Sequence, residues 1–172
     1  MKNLFKIKSV CLTVCMLAVA SFFTSCDDEK HPTVLPAFAG FRLTPSTWTA
    51  GDSVTVTAVQ SKLGNLIYKA EYRWSVSVAG ADTTFSKTVQ VVYDNDKSDP
   101  SFGFRIPADV SGYASISFSA DYDYSSATAP TEVSGPVNGT GGLVGNFSGF
   151  TSSALFGKCS GSASTTIKAA GE

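Results

Sequence analysis

From Ala37 onward, apolar and polar residues alternate along the chain with a period of two. The clearest run is Ala114–Tyr122, in which Ala, Ile, Phe, Ala and Tyr alternate with Ser, Ser, Ser and Asp. This spacing predicts β-strands with one buried face, because successive side chains of a strand point to opposite sides of the sheet. No segment after Cys26 shows sustained helical spacing. The other alternating runs lie at 54–58, 72–78, 89–93 and 102–106.

Turn-forming residues separate these runs. Together with a first strand that starts at Ala37, the alternating runs give six strands. Each has one apolar face, so the strands must pack as two sheets or close into a barrel. We therefore predict an all-β fold, with a β-sandwich of about six to seven antiparallel strands over residues 37–135. The segments rich in Gly, Asn, Asp or Pro that separate the strands are 49–52, 62–65, 79–82, 94–100 and 107–112.

Two features of residues 37–135 resemble the immunoglobulin-like modules of bacterial surface proteins. Trp74 lies in a central predicted strand, where such modules often carry a core tryptophan, and 107–113 resembles the corner that enters their penultimate strand. The chain also departs from that pattern. No cysteine pair flanks Trp74, and Tyr113 is out of phase with Ile116, so a tyrosine corner would need a bulge. The resemblance implies an immunoglobulin-like β-sandwich and no particular activity.

The C-terminal segment, residues 136–172, differs in composition from the predicted sandwich. It holds eight of the 15 glycines together with many Ser and Thr residues. Leu143–Val144 and 147–156 are apolar enough to supply a final strand, whereas the rest of the composition is typical of a flexible linker. The sequence leaves both interpretations open: a last strand or a flexible tail.

The N-terminus has the order of a secretory signal peptide. Three lysines precede an apolar stretch at 10–23, and small residues follow it. That stretch of ~14 residues is shorter than the ~20 that a membrane-spanning helix needs. The sequence Phe-Thr-Ser-Cys at 23–26 resembles the lipobox of bacterial lipoproteins. We predict a signal peptide at 1–25 that is cleaved, and a lipid on Cys26 that makes the membrane a partner of the protein.

The residues after Cys26 form an acidic run. Asp27, Asp28 and Glu29 resemble the export signal of Bacteroidetes lipoproteins that reach the cell surface, and a solvated charge run in a flexible tether is the alternative. The prolines further along favour extended backbone, so residues 26–36 are predicted to form a lipidated acidic tether. The expected location is the outer membrane, with the domain lipid-anchored and exposed at the cell surface.

Charge and the scarcity of histidine exclude several function classes. With 13 basic and 14 acidic residues, the net charge is −1, and no positive excess exists to hold a nucleic acid. His31 is the single histidine of the chain, which removes most metal sites and histidine-based catalysis, and we predict neither enzymatic activity nor a cofactor. Cys159 has no partner for a disulfide once Cys26 is lipidated, and it is predicted to be a small, partly buried side chain.

Two groups of carboxylates have the spacing of functional sites. Asp94, Asp96 and Asp99 begin like a calcium-binding loop, but Asp99 stands where the EF-hand requires glycine. A solvated acidic turn and a looser calcium site between loops are the two interpretations. Asp121 and Asp123 lie on the outward face of a predicted strand, and paired carboxylates can hydrolyse glycosides. Without an evident pocket, we interpret this pair as solvated.

Aromatic residues outside the inward phase supply the remaining candidates for a binding site. Phe38, Trp48, Tyr68 and Tyr124 fall out of phase or near loops, and exposed rings can stack on the C–H faces of sugars. Trp48, Tyr68 and Tyr124 are therefore the candidate ligand-binding aromatics.

The predicted function is a non-catalytic binding or adhesion module for a glycan or a protein. The alternative is a structural accessory subunit of an outer-membrane complex, with the glycine-rich tail docked on a neighbour. The sequence predicts no oligomeric state.

Overall fold

The structure, a computed structural model, describes residues 31–80 and 84–171. One compact unit comprises Pro32–Glu172 and has its own hydrophobic core. The predicted signal peptide, the lipidation site Cys26 and the acidic run at 27–29 lie outside the described residues. Among the residues described, no helix has the length and apolar character needed to cross a membrane.

The described chain is built from β-strands, with one short 3₁₀ helix at Ser126–Thr128 and no α-helix among the residues described. The all-β prediction is therefore confirmed. The strands are β1 (Ala37–Thr44), β2 (Trp48–Thr49), β3 (Ser53–Lys62), β4 (Lys69–Val78), β5 (Thr84–Val91), β6 (Ser101–Arg105), β7 (Gly112–Asp123), β8 (Val137–Asn138), β9 (Asn146–Ser152) and β10 (Phe156–Lys168).

The strands form two sheets. The smaller has the order β1-β3-β6, and the larger has the order β5-β4-β7-β10-β9-β8, with β2 added to the end of β10. All pairs are antiparallel except the two-residue pairing of β2 with β10, which is parallel. The strand count exceeds the six to seven predicted, because β2 and β8 are too short to show a period and β9 and β10 lie in the glycine-rich segment.

Aromatic rings join the two sheets across one core. The ring of Phe41 on β1 lies 6.0 Å from that of Trp74 on β4 and 6.2 Å from that of Phe118 on β7. Phe102 on β6 lies 6.5 Å from Trp74, and Trp74 lies 4.5 Å from Phe118. Since Phe41 and Phe102 of the smaller sheet contact rings of the larger one, the sheets pack face to face, as in a β-sandwich.

The C-terminal segment is part of this sandwich and not a flexible tail. Strand β10 pairs with β7 over twelve residues, from Phe156 to Ile167, and with β9 on its other side. Gly161 faces inward, where an added Cβ would lie 2.7 Å from the ring of Phe147 and 2.9 Å from that of Phe41. The glycine at this position therefore makes room for core rings. A boundary at residue 135 does not separate an independent segment, because 137–168 completes the larger sheet.

The second half of the predicted tether also belongs to the fold. Thr33 and Leu35 are buried. Val34 exchanges two backbone hydrogen bonds with Asn65, with N–O distances of 3.1 and 2.8 Å. Leu35 fills the space beside Gly157, where an added Cβ would lie 2.9 Å from a methyl group of Leu35. Residues 33–36 therefore pack against the domain and are not a free spacer, because the Leu35 side chain belongs to the core.

The buried thiol of Cys159 gives a direct test of the packing around β10. Burial raises the pKa of this thiol from 9.0 to about 12. We expect iodoacetamide to leave Cys159 unmodified in the folded protein at about pH 8, and to alkylate it after denaturation, as mass spectrometry would record.

Because the folded-state pKa of Cys159 is raised, the thiol contributes stability that is full below about pH 9 and lost toward pH 12. Cys159→Ala should remove that part of the alkaline destabilisation. Rapid alkylation of the folded protein would contradict this description.

Candidate functional site

The structure places the three candidate aromatics in different environments. Trp48 is fully buried, with its ring 5.6 Å from that of Phe104, and Tyr124 is 3% exposed. Phe38 is buried as well. The prediction that Trp48 and Tyr124 are exposed is wrong, because both side chains belong to the hydrophobic core, Trp48 on β2 beside β10 and Tyr124 directly after the end of β7. Tyr68 is 62% exposed.

The burial of Tyr124 brings a different aromatic residue to the surface. The Tyr124 hydroxyl lies 2.8 Å from the carbonyl oxygen of Ser153 and 2.9 Å from that of Phe156, and it can donate to either. The amide of Ser153 also donates to the Phe156 carbonyl at 2.8 Å. These bonds fix the turn at 153–156, at whose end Phe156, a residue that is 50% exposed, begins β10. Sequence reasoning missed Phe156, although it shares the outward phase of Lys158 and Ser160.

Charged side chains surround Phe156 on the outward face of the larger sheet. Phe156 lies opposite Asp123 in the pairing of β10 with β7, and Lys158 lies opposite Asp121. Strand β4 supplies the facing residues on the other side of β7, with Glu71 opposite Asp121. Together these side chains line a shallow depression. We call this group the charged patch: Lys69, Glu71, Arg73, Asp121, Asp123, Phe156 and Lys158.

Ion pairs hold the charged patch in one arrangement. The Arg73 guanidinium donates to Asp121 and forms an ion pair with Glu71. The Lys158 ammonium lies 3.6 Å from a carboxylate oxygen of Asp121, and the Lys69 ammonium lies 3.7 Å from Glu71. Exposed pairs of this kind add little stability. Their consequence here is orientation, because Asp121 of β7 joins Arg73 of β4 to Lys158 of β10.

Hydrogen bonds and neighbouring charges shift the pKa of two groups in the patch. A hydrogen bond from Gln90 lowers the pKa of Glu71; loss of hydration opposes this shift, and the charges of Arg73 and Lys69 lower the pKa further. The hydrogen bond to Asp121 raises the pKa of Arg73. A general acid for glycoside hydrolysis needs a raised carboxyl pKa. Glu71 has the opposite shift, so the patch offers an ionised acceptor at this position.

Hydroxyl groups cover the rest of the outward face beyond the charged patch. The side chains alternate along each strand with buried core residues, and they meet in register: Ser117 lies opposite Ser75 on one side and opposite Ser162 on the other. Tyr113 lies at the far end, 72% exposed and opposite Thr166. We call the hydroxyl-bearing surface the serine face: Ser75, Ser77, Ser86, Thr88, Ser115, Ser117, Ser119, Ser160, Ser162 and Ser164.

An open groove runs beside the serine face. Its lining includes Asn138 and Asn146, which pair between β8 and β9, together with Ser148. The Ser148 hydroxyl lies 3.2 Å from that of Ser160 on the neighbouring strand. Amide and hydroxyl groups therefore continue from β7 and β10 to the β8–β9 edge, and the face offers donors and acceptors over most of its width.

The acidic loop proposed as a calcium site is hydrogen-bonded within itself and to its neighbours. The Asp99 carboxylate accepts a hydrogen bond from the backbone amide of Gln60 at 2.8 Å, and the Asp96 carboxylate accepts one from the backbone amide of Ser98 at 3.1 Å. Asp94 pairs with Lys97 at 3.2 Å. Across 31–80 and 84–171, no group of three or more His, Cys, Asp or Glu side chains is arranged to hold a metal ion. The structure therefore does not bring the three aspartates together as one ligand set.

The charged patch and the serine face form one polar surface with an exposed ring at each end, Phe156 and Tyr113. The two rings can stack on a ligand, and the charged and hydroxyl side chains can form many hydrogen bonds with it. Comparison of the chain with protein-family models, with curated proteins and with solved structures finds no match.

Proposed function

We propose that this chain is a non-catalytic binding module that binds a glycan through the outward face of the larger sheet. The observation that carries the proposal is the composition of the charged patch. An exposed ring, Phe156, stands beside carboxylates, a guanidinium and an ammonium group whose positions are fixed by ion pairs. Sugars present apolar C–H faces and dense hydroxyl groups, so this combination matches their chemistry.

A glycan fits this face better than a protein ligand does. The centre of a protein interface is depleted in charge and enriched in aromatic and other apolar anchors. On the outward face of the larger sheet, the exposed large hydrophobic side chains are Phe156 and Tyr113, which stand at opposite ends. The hydroxyl groups between them offer hydrogen bonds but no apolar patch to bury.

We also propose that the module is located at the outer membrane, as the N-terminal sequence predicts. Lipidation at Cys26 would attach the module to the outer membrane, and the acidic run at 27–29 favours display at the cell surface. With the fold ordered from Thr33, the tether between lipid and domain would be shorter than residues 26–36. A glycan-binding face on such a module would bind polysaccharides outside the cell.

We also propose that the sandwich has an immunoglobulin-like topology. The order β1-β3-β6 against β5-β4-β7-β10 supports this assignment, with Trp74 on the second strand of the larger sheet. The parallel pairing of β2 with the end of β10 and the added β8–β9 hairpin extend that arrangement. The alternative function, an accessory subunit with a docking tail, loses the observation that favoured it, because 137–168 pairs within the sheet.

We expect Phe156→Ala to weaken glycan binding about tenfold or more, because Phe156 is the exposed aromatic residue of the charged patch and the natural stacking surface there. Affinity electrophoresis of soluble protein from residue 30 to 172 would measure this, in gels that contain xylan, galactomannan, mixed-linkage β-glucan or mucin. The wild type should be retarded by at least one of them, and Phe156→Ala should migrate close to its rate in a gel without polysaccharide.

Tyr68→Ala is the matched control, because Tyr68 is an exposed aromatic residue that does not line the charged patch. It should be retarded like the wild type, and all three proteins should share one melting temperature. Failure of every gel to retard the wild type would overturn the proposal. Retardation that survives Phe156→Ala and is lost in Tyr68→Ala would also contradict it.

A further inference from the structure

We infer that the ligand is a linear, uncharged polysaccharide that lies along β7 and β10 from Phe156 to Tyr113. The site would then take an internal stretch of a long chain and not a terminal sugar. This inference rests on the proposed glycan-binding function and specifies its substrate class. It is supported by three properties of the outward face: the placement of the two rings, the small hydroxyl side chains over most of the distance between them, and the balance of charge.

The two exposed rings stand at opposite ends of the same pair of strands. Phe156 lies opposite Asp123 at one end of the β7–β10 pairing, and Tyr113 lies opposite Thr166 near the other end. Tyr113 and Asp123 are ten residues apart on β7, which corresponds to about 33 Å at ~3.3 Å per residue. The Tyr113 side chain lies on the outward face of β7, and the Phe156 side chain lies on the outward face of β10. One extended ligand can therefore contact both rings.

Beyond the Lys158–Asp121 pair, small hydroxyl side chains occupy the outward positions of β7 and β10 up to Tyr113. Ser115, Ser117 and Ser119 on β7 lie opposite Ser164, Ser162 and Ser160 on β10. None of them rises above the sheet as a Leu or Phe would, and the open groove along Asn146 and Ser148 borders them. A site for a terminal sugar is usually enclosed on several sides. This one is open along its length, which fits a chain that passes through.

The charges on the face favour an uncharged ligand. The charged patch contains three cationic residues, Lys69, Arg73 and Lys158, and three anionic residues, at positions 71, 121 and 123. The cations are each paired with a carboxylate of the patch, and the serine face adds no charge. Electrostatic attraction of a polyanion requires a positively charged surface. The outward face between Phe156 and Tyr113 has no such surface.

The test compares long and short forms of the same glycan. Xylan, galactomannan and mixed-linkage β-glucan, each with its trisaccharide, would be titrated calorimetrically into the soluble protein from residue 30 to 172; polygalacturonic acid and chondroitin sulfate serve as polyanions. We expect one neutral polymer to bind at least fivefold more tightly per binding site than its trisaccharide. Tyr113→Ala should remove that advantage and leave trisaccharide binding within twofold, whereas Phe156→Ala should weaken both.

A second variant tests the path between the rings without touching either of them. Ser162→Gln places a longer side chain at an exposed position of the serine face, and it should weaken polymer binding but not trisaccharide binding. Unchanged polymer binding in both Tyr113→Ala and Ser162→Gln, with loss in Phe156→Ala, would overturn the extended site and leave the proposed function intact. Preferential binding of a polyanion would overturn the uncharged class. No binding of any glycan would overturn the proposed function itself.

Discussion

Replacement of Phe118 by alanine is expected to lower the free energy of unfolding by about 3–5 kcal/mol, the usual cost of removing a large buried ring. Phe118 lies on β7 at the centre of the core, and its ring centroid is 4.5 Å from that of Trp74 and 5.5 Å from that of Phe38. Because Trp74 and Phe38 belong to different sheets, the cavity would open between the sheets. A domain with about 5–15 kcal/mol of total stability would be left close to unfolding.

Urea denaturation followed by tryptophan fluorescence would measure this loss. Ser117→Ala is the matched control, since Ser117 is the adjacent residue on β7 and faces outward. It should change the free energy of unfolding by less than about 0.5 kcal/mol. A loss below about 1 kcal/mol for Phe118→Ala would contradict the placement of this ring between the two sheets.

Gly145→Ala is expected to destabilise the protein by about 3 kcal/mol. Gly145 has a φ of 81°, which costs an L-residue about 1–2 kcal/mol. A Cβ at this position would also lie 2.6 Å from the Cβ of Ala163 and 2.8 Å from the ring of Phe41. Such overpacking costs about 1–3 kcal/mol. The substitution therefore tests whether the turn before β9 closes onto β10 and the core.

Gly142→Ala separates backbone strain from the clash. Gly142 has nearly the same φ, 83°, but an added Cβ would meet no atom within 4 Å. We expect it to lose only about 1–2 kcal/mol, the cost of the left-handed conformation alone. Equal losses for the two variants, measured by thermal or urea unfolding, would show that Gly145 does not lie against β10.

The strands that carry large apolar residues in strict alternation were predictable from the sequence. The alternation over 114–122 identifies β7 and its inward set, and it also predicts correctly that Asp121 and Asp123 face outward. Strand β10 has the same alternation, but its inward positions are small residues such as Gly157 and Ala163. Rings from other strands fill the space above them, so hydrophobicity along β10 itself is too weak to predict a strand.

The candidate site depends on pairings that local sequence does not specify. Arg73, Asp121 and Lys158 come from three strands and meet only through the register of β4, β7 and β10. Trp48 lies on a two-residue strand whose position is set by β10, which explains why its burial was not anticipated. In the same way, Tyr124 was predicted to bind ligand, whereas it fixes the turn that presents Phe156.

An NMR titration would show whether the outward face of the larger sheet binds a glycan. Uniformly ¹⁵N-labelled protein from residue 30 to 172 would be titrated with the trisaccharides of xylan, galactomannan and mixed-linkage β-glucan. We expect one of them to shift the amide signals of β4, β7 and β10 around Phe156, with little change in the 94–100 loop. Shifts confined to the loops or to the smaller sheet, or no shift with any of the three, would contradict it.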